Sequence, residues 1–435
     1  MKKIAIYGYG KYGKRASESF RYYWGGEYCI TAIFDSSLVG EEDAYWSLSV
    51  LSPEHIAEEY KRETFDAVMI CIYAQDVRNG ISRQLNSLGI PVFVPGSPED
   101  FSEAEAFSQV PAPLIIACEE DYSIHVFNNM LGAVADFERL QFFFLFEDNG
   151  KINIDSYKNY DEYYKPLMLN YPFRLRDPLP EKIYMEGSYC VITKAFSNNY
   201  WHFTFETADC VYILEQTGFK GKYIYNDTAF SRELLLILGI SPERLISTKE
   251  LAIHKVYAFE KLFDINHRRI IPKDHSREIF PRMAESIKGK LKLDEKYPQK
   301  IYVKRIGVRK LLNAEEIAAN NGYSIIIPEE HTLLEQMNFF YNADIVLCPH
   351  GANSTNFLYM RKNAVFIEIF SDRWYKDINR LRCENLGVHY LKIVGKSKPD
   401  DLCDQFADYF VDENALQQII MNAEEIRLKS PSAQL

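Results

Sequence analysis

Asp344-Ile-Val-Leu-Cys-Pro-His350-Gly351-Ala352-Asn353-Ser354-Thr355-Asn356 is the stretch that decides the architecture. Residues 345–349 form an apolar run of strand length. A turn of small residues follows and opens a helix. Strand, small-residue turn and helix make the unit of a parallel α/β sheet, which places ligands at the carboxyl ends of its strands. His350 stands at such an end. The N–H groups of 351–355 and the hydroxyls of Ser354 and Thr355 point where an anion could sit. A helix cap with an incidental histidine is the plainer reading. The convergence of a glycine, a histidine and three polar side chains at one strand end favours a binding site.

The same alternation extends on both sides. KIYVKR (300–305) reads as a strand, followed by a helix near 313–321, a strand at YSIII and a helix near 332–341. After the histidine turn come AVFIEIF, a strand from 387 to 393 and a last helix over 412–428. Arg305 and Arg309 stand right after a strand, with Gly307 between them. Two guanidiniums there could hold a diphosphate by bidentate contacts; a solvated basic loop is the plainer reading. Thr332 and Glu335 fit a capping box, and Gln336 next to them is a candidate to face the cleft. Glu368 is an acid inside an apolar strand, so it needs a partner, either ribose hydroxyls or an arginine.

Upstream, helical patterns cover 199–217, 228–238 and 275–292, with KYIYN between the first two. The region after Leu114 is rich in tyrosine and irregular. His202 lies among aromatics; histidine suits a general base, although a lone histidine there is more often core. Residues 95–113 are rich in Pro, Ser and acid and read as a linker. Before them, Gly8-Tyr-Gly10-Lys-Tyr-Gly13 follows a strand and opens a helix, and Asp35 ends the next strand. That context suits a nucleotide, with phosphate on the glycine turn and ribose on Asp35; close helix–sheet packing is the alternative.

Composition narrows the classes. The chain has 435 residues, enough for about three domains. Lys plus Arg total 50 against 61 Asp plus Glu, a net charge of −11, which excludes nucleic acid as the main partner. Eight cysteines without a CxxC pair point to a reducing, cytoplasmic setting and no zinc site. No HExxH, literal DxD or GxSxG is present, so no metal is expected and positive side chains are expected to stabilise charge.

FSNNYWHF (196–203), YVKRIGVRKLLNAEE (302–316), LLEQMNFFYNADIVLCPHGANSTNFLYM (333–360) and AVFIEIF (364–370), in that order, resemble glycosyltransferase family 61. The resemblance covers about residues 195–395. It implies a GT-B architecture, a pair of Rossmann-like domains (112–274 and 275–430) facing across a cleft; residues 1–100 lie outside the resemblance and read as a separate small Rossmann-like domain, from their alternating strands and helices. The resemblance also implies metal-independent, inverting transfer from a nucleotide sugar, a UDP-sugar favoured, to a glycan or lipid-linked saccharide in surface polysaccharide synthesis. Carried over by position, His202, Arg305 and Arg309 become catalytic. Asn313, Gln336, His350, Gly351, Ala352, Asn356 and Glu368 become donor-binding, with Glu368 on the ribose; Asn353, Ser354 and Thr355 join them from the reading of the turn itself. Asn353 stands where the family often has glycine. No cofactor is required beyond the nucleotide-sugar substrate. A nucleotide at Gly8, Gly10, Gly13 and Asp35 is a candidate ligand of the first module. A lipid-linked acceptor would bring the chain to the inner face of a membrane, and a homo-oligomer is left open. The alternatives are an NAD(P)-dependent enzyme using the first module and a non-catalytic scaffold that binds sugar nucleotides.

Overall fold

The computed structural model describes residues 2–10, 13–14, 17, 28–44, 46–72, 75–93, 107–108, 114–118, 122–137, 140–146, 152–153, 182–193, 197–251, 255–267, 280–375, 377–398 and 406–429. They form three sheets with helices between the strands.

The first sheet holds β1 (Lys2–Tyr7), β2 (Tyr28–Phe34), β3 (Glu42–Asp43), β4 (Leu48–Leu51) and β5 (Ala67–Ile70) in the order β3-β4-β2-β1-β5. All neighbours run parallel except β3 and β4. Ile4, Ala5 and Ile6 are all buried, as a strand covered on both faces requires.

The second sheet holds β6 (Phe107–Ser108), β7 (Leu114–Cys118), β8 (Tyr122–Phe137), β9 (Leu140–Phe146), β10 (Ile152–Asn153), β11 (Lys182–Val191), β12 (Lys222–Tyr225), β13 (Leu245–Ser247) and β14 (Val256–His267). Its order is β13-β12-β11-β14-β8-β9-β10-β6, with β7 also on β8. β13, β12, β11 and β14 form a parallel set, and the short β10 and β6 at the far edge also pair parallel. Beyond β14 the next neighbours, β8, β9 and β10, run antiparallel. The expectation of a plain Rossmann-like half over 112–274 is therefore corrected to a parallel quartet extended by an antiparallel meander. Strands that follow one another closely, as β8 and β9 do, can pair antiparallel without the long crossover that a parallel pair needs.

The third sheet holds β15 (Lys300–Val303), β16 (Ser324–Ile326), β17 (Ile345–Pro349), β18 (Val365–Ser371), β19 (His389–Ser397) and β20 (Tyr409–Phe410). The order is β16-β15-β17-β18-β19-β20, parallel except for β20. The winding reverses between β15 and β17. In an open α/β sheet, the carboxyl ends at such a reversal are where a crevice opens.

The second and third sheets share one core. Phe205, Phe280, Phe357 and Phe366 belong to a single buried cluster that runs from Ile124 to Val388. Phe205 meets Phe280 edge-on at 5.4 Å and Phe357 at 6.3 Å. The halves 112–274 and 275–430 thus have a common apolar floor. Among the described residues, no helix is long and apolar enough to cross a membrane, and Cys29, Cys71, Cys190, Cys210, Cys348 and Cys383 are free thiols.

Candidate functional site

β15 and β17 carry the site to the reversal point. Two residues past β15, Arg305 donates from Nε to the Val308 carbonyl (2.8 Å) and from Nη1 to the His350 carbonyl (3.0 Å). The guanidinium lies against Gly351. A Cβ on that glycine would stand 1.8 Å from Nη1, so glycine is what admits the arginine. Gly351 has an extended backbone (φ 163°) that any residue adopts. Gly351→Ala is therefore expected to fold with an unchanged melting temperature and to push Arg305 out of place. Titration of the variant with a nucleoside diphosphate should show at least tenfold weaker binding, and unaltered affinity would mean that the contact is not used.

Arg309 follows on the same loop, in the left-handed region (φ 56°) that a side chain rarely adopts. Its guanidinium lies over the Trp374 ring at 5.3 Å, and its buried Nε has no hydrogen-bond partner. The neighbouring lysines are paired, Lys304 with Glu315 (2.8 Å) and Lys310 with Asp408 (4.0 Å). Among the described residues, neither arginine has a carboxylate within ion-pair distance. Burial pulls Arg305 below the ordinary guanidinium range. Burial, then the charge of Arg305, pushes Arg309 down to about 10. Both remain cations at neutral pH. Two half-buried, mutually repelling cations with no carboxylate among the described residues are suited to holding an anion.

His350, one residue past β17, is 10% exposed in its side chain. Its Nδ1 lies 2.7 Å from Glu368 Oε1, and its ring stacks on Phe370 at 4.7 Å. Glu368 sits in β18 with no exposed surface. Asn379 donates to its Oε1 (2.9 Å) and the Tyr390 hydroxyl to its Oε2 (2.8 Å). The reading of Glu368 as a ribose ligand is corrected: it is fully buried, and both oxygens accept from side chains of the protein. Asn379 and Tyr390 were missed from sequence. They lie 11 and 22 residues beyond Glu368 and carry no motif.

Several other candidates are internal braces. Residues 352–359 form a 3₁₀ helix rather than an α-helix. Ser354, Thr355 and Asn356 are fully buried there, so they do not present side chains to an anion. The Ser354 hydroxyl donates to the Gly351 carbonyl (2.7 Å). Asn356 accepts from the Tyr200 hydroxyl (2.7 Å) and donates to Gln336 (3.2 Å). Gln336 donates in turn to the carbonyls of Pro328 (2.8 Å) and His331 (3.1 Å), so its placement facing the cleft is corrected to a loop clamp. Asn313 exchanges two bonds with the backbone of Val411 and is likewise a clamp. The Thr332–Glu335 capping box is present in both directions. Of the turn, Gly351, Ala352 and Asn353 stay partly exposed, with Asn353 donating to Glu329 (3.1 Å).

His202 arrives from the second sheet's side. The expected helix over 199–217 is present as one run over 200–216, with a π turn at Thr204–Ala208 between Tyr200–Phe203 and Asp209–Gln216. Such turns are frequent at functional sites. The side chain of His202 is 25% exposed and its Nδ1 lies 3.0 Å from Glu206 Oε2. Tyr200, on the same short helix, ties it to Asn356 and hence to the histidine turn.

In the first module, Gly8 has φ +88°, and a Cβ on Gly13 would stand 2.0 Å from the Gly8 carbonyl oxygen. Gly10 faces open space. Asp35 Oδ2 accepts from the Tyr9 N–H (2.6 Å), and Oδ1 from the N–H and hydroxyl of Ser37 (2.8 and 2.7 Å). Burial would raise this carboxyl, but the Ser37 and Tyr9 bonds outweigh it and hold it below the usual range. The carboxylate expected to meet a ribose thus also braces its own glycine turn, and one turn N–H is already used.

Residues 200–367 match the family model described as Glycosyltransferase 61. A rice protein (Oryza sativa subsp. japonica), beta-1,2-xylosyltransferase XAX1, is 34% identical over 76 residues. That match takes in 17% of this chain and 13% of the rice protein's length. Two solved structures are similar over 21% of the chain. One is of RSP in complex with beta-NAD+ and operator DNA (22% identity, 41% of that chain, TM-score 0.18). The other is of RSP, a Rex-family repressor (21% identity, 42% of that chain, TM-score 0.18). A likeness with that TM-score carries no argument about this chain.

Proposed function

We propose that the chain is an inverting glycosyltransferase that uses a nucleotide sugar, a UDP-sugar favoured, and holds the leaving diphosphate on side-chain cations. The observation that carries this reading is the pair of carboxylate-free guanidiniums, Arg305 and Arg309, at the reversal point of the third sheet. The family match over 200–367, which contains both arginines and His202, supports it. Positive groups placed where charge develops lower the barrier most effectively inside a partly dry site.

The step follows from that placement. The acceptor hydroxyl of a saccharide, free or lipid-linked, attacks the anomeric carbon opposite the departing phosphate oxygen. The new C–O bond forms as the bond to the diphosphate breaks, which inverts the configuration. The diphosphate leaves with the electron pair and meets Arg305 and Arg309. The hydroxyl proton passes to His202, whose other nitrogen faces Glu206.

The test is thermal melting of the full chain with UDP, GDP and CMP, with and without EDTA. A nucleoside diphosphate at about 100 times its Kd should add about 2.7 kcal/mol, and the shift should survive chelation. No shift with any nucleotide at millimolar concentration would reject the cradle, and a shift that EDTA removes would reject metal independence.

A further inference from the structure

The ring of His350 is held by more than its immediate partner. Glu368 is fully buried and takes three donors: His350 Nδ1 at 2.7 Å, Asn379 Nδ2 at 2.9 Å and the Tyr390 hydroxyl at 2.8 Å. The donors come from β17's end, from the residue before the helix Arg380–Asn385, and from β19. Asn379 is itself fully buried and also donates to Ser354 (3.2 Å), which ties the carboxylate to the histidine turn. A carboxylate accepts only, so the nitrogen facing it must carry the proton. Among the described residues, His350 Nε2 has no partner, and it is not one of the buried unpaired atoms. It is the ring atom left for a ligand, beside the carbonyl that Arg305 grips.

We propose that Asn379 and Tyr390 are positioning residues for His350: acting through Glu368, they lock its ring as the Nδ1–H tautomer with Nε2 bare beside the arginine cradle. Both lie beyond residue 367, where the family match ends. Without them the carboxylate would have one donor, and burying a charge that is under-satisfied is costly. Tyr390 remains a neutral donor, because burial and then the Glu368 charge push its hydroxyl far above the ordinary range. The other groups facing this network are Arg305 on the His350 carbonyl, the thiols of Cys348 and Cys383, whose titration burial and Glu368 push upward, Asp377, whose charge also acts on Tyr390, and Tyr409 on the neighbouring Ile369 carbonyl. None of these replaces Glu368 as an acceptor at Nδ1.

The inference rests on the transferase reading only for what Nε2 meets; the tautomer does not depend on it. The experiment is a ¹⁵N NMR titration of histidine-labelled full chain without ligand. His350→Gln identifies the signal among the nine histidines. The neutral ring should show Nδ1 protonated, the reverse of free imidazole's preference. Glu368→Gln removes the anion that stabilises the imidazolium and should lower the ring's proton affinity about tenfold. Tyr390→Phe leaves the carboxylate less satisfied, so it should hold the imidazolium more tightly and raise that affinity. Asn379→Ser should act in the same direction. Opposite signs for Glu368→Gln and Tyr390→Phe are the signature of action through the carboxylate. An Nε2–H tautomer, or an unmoved titration in Tyr390→Phe, overturns the proposal. If Glu368→Gln does not fold, Tyr390→Phe, which keeps the ring, decides alone. Addition of UDP then reads the cradle separately: a locked tautomer whose Nε2 signal ignores UDP would keep this inference and reject the donor site.

Discussion

Arg305→Ala should lower turnover a hundred- to a thousandfold, about 2.7–4 kcal/mol of transition-state stabilisation, the scale seen when one preorganised oxyanion donor is removed. The loss should fall on kcat at least as heavily as on KM, because charge on the leaving oxygen grows as the bond breaks. Melting should barely change. Arg305 has no carboxylate to strand; of the two carbonyls it would release, that of Val308 belongs to an exposed residue and that of His350 to a partly exposed one, where water can replace the lost donor. Arg305→Lys keeps the charge but loses the fork that reaches His350 and Val308 together, and should fall between the two. Steady-state kinetics on a responsive donor measures all three enzymes; a wild-type rate in Arg305→Ala removes this side chain from the mechanism.

Phe357→Ala should cost about 3–5 kcal/mol of stability, the range for truncating a buried aromatic. Phe357 has no exposed surface and stands between Phe205 of the second sheet's side and Phe366 of β18. The cavity would open in the floor shared by both sheets, so protection should fall in both at once. Hydrogen exchange read peptide by peptide checks this. Loss confined to 300–398 would mean that the shared floor does not couple them.

The third sheet could be read from the chain because each strand is a compact apolar run and each connection carries its own stop signal. KIYV, SII, IVLCP and VFIEIF all stand close to where periodicity put them. The second sheet was harder to read. β14 pairs with β8 across more than a hundred residues, and nothing local in either strand announces the other. The site followed the same division. Strand ends gave Arg305, Arg309 and His350. Periodicity could not say that Gln336, Asn313, Asn356 and Glu368 spend their polar atoms inside the protein, because a brace and a ligand draw on the same residue types. Asn379 and Tyr390 became visible only when the chain closed around Glu368.

Arg309 also has a consequence for how this protein can change. Its left-handed backbone is a conformation that glycine adopts freely and that costs another residue about 1 kcal/mol or more. Drift toward glycine at 309 would relax the loop while removing one of the two guanidiniums proposed to hold the diphosphate. The position therefore sets robustness against reactivity. On the proposed transfer, selection for a hardier fold would lead away from the activity, and a thermostable relative with glycine at 309 is expected to bind a nucleoside diphosphate more weakly.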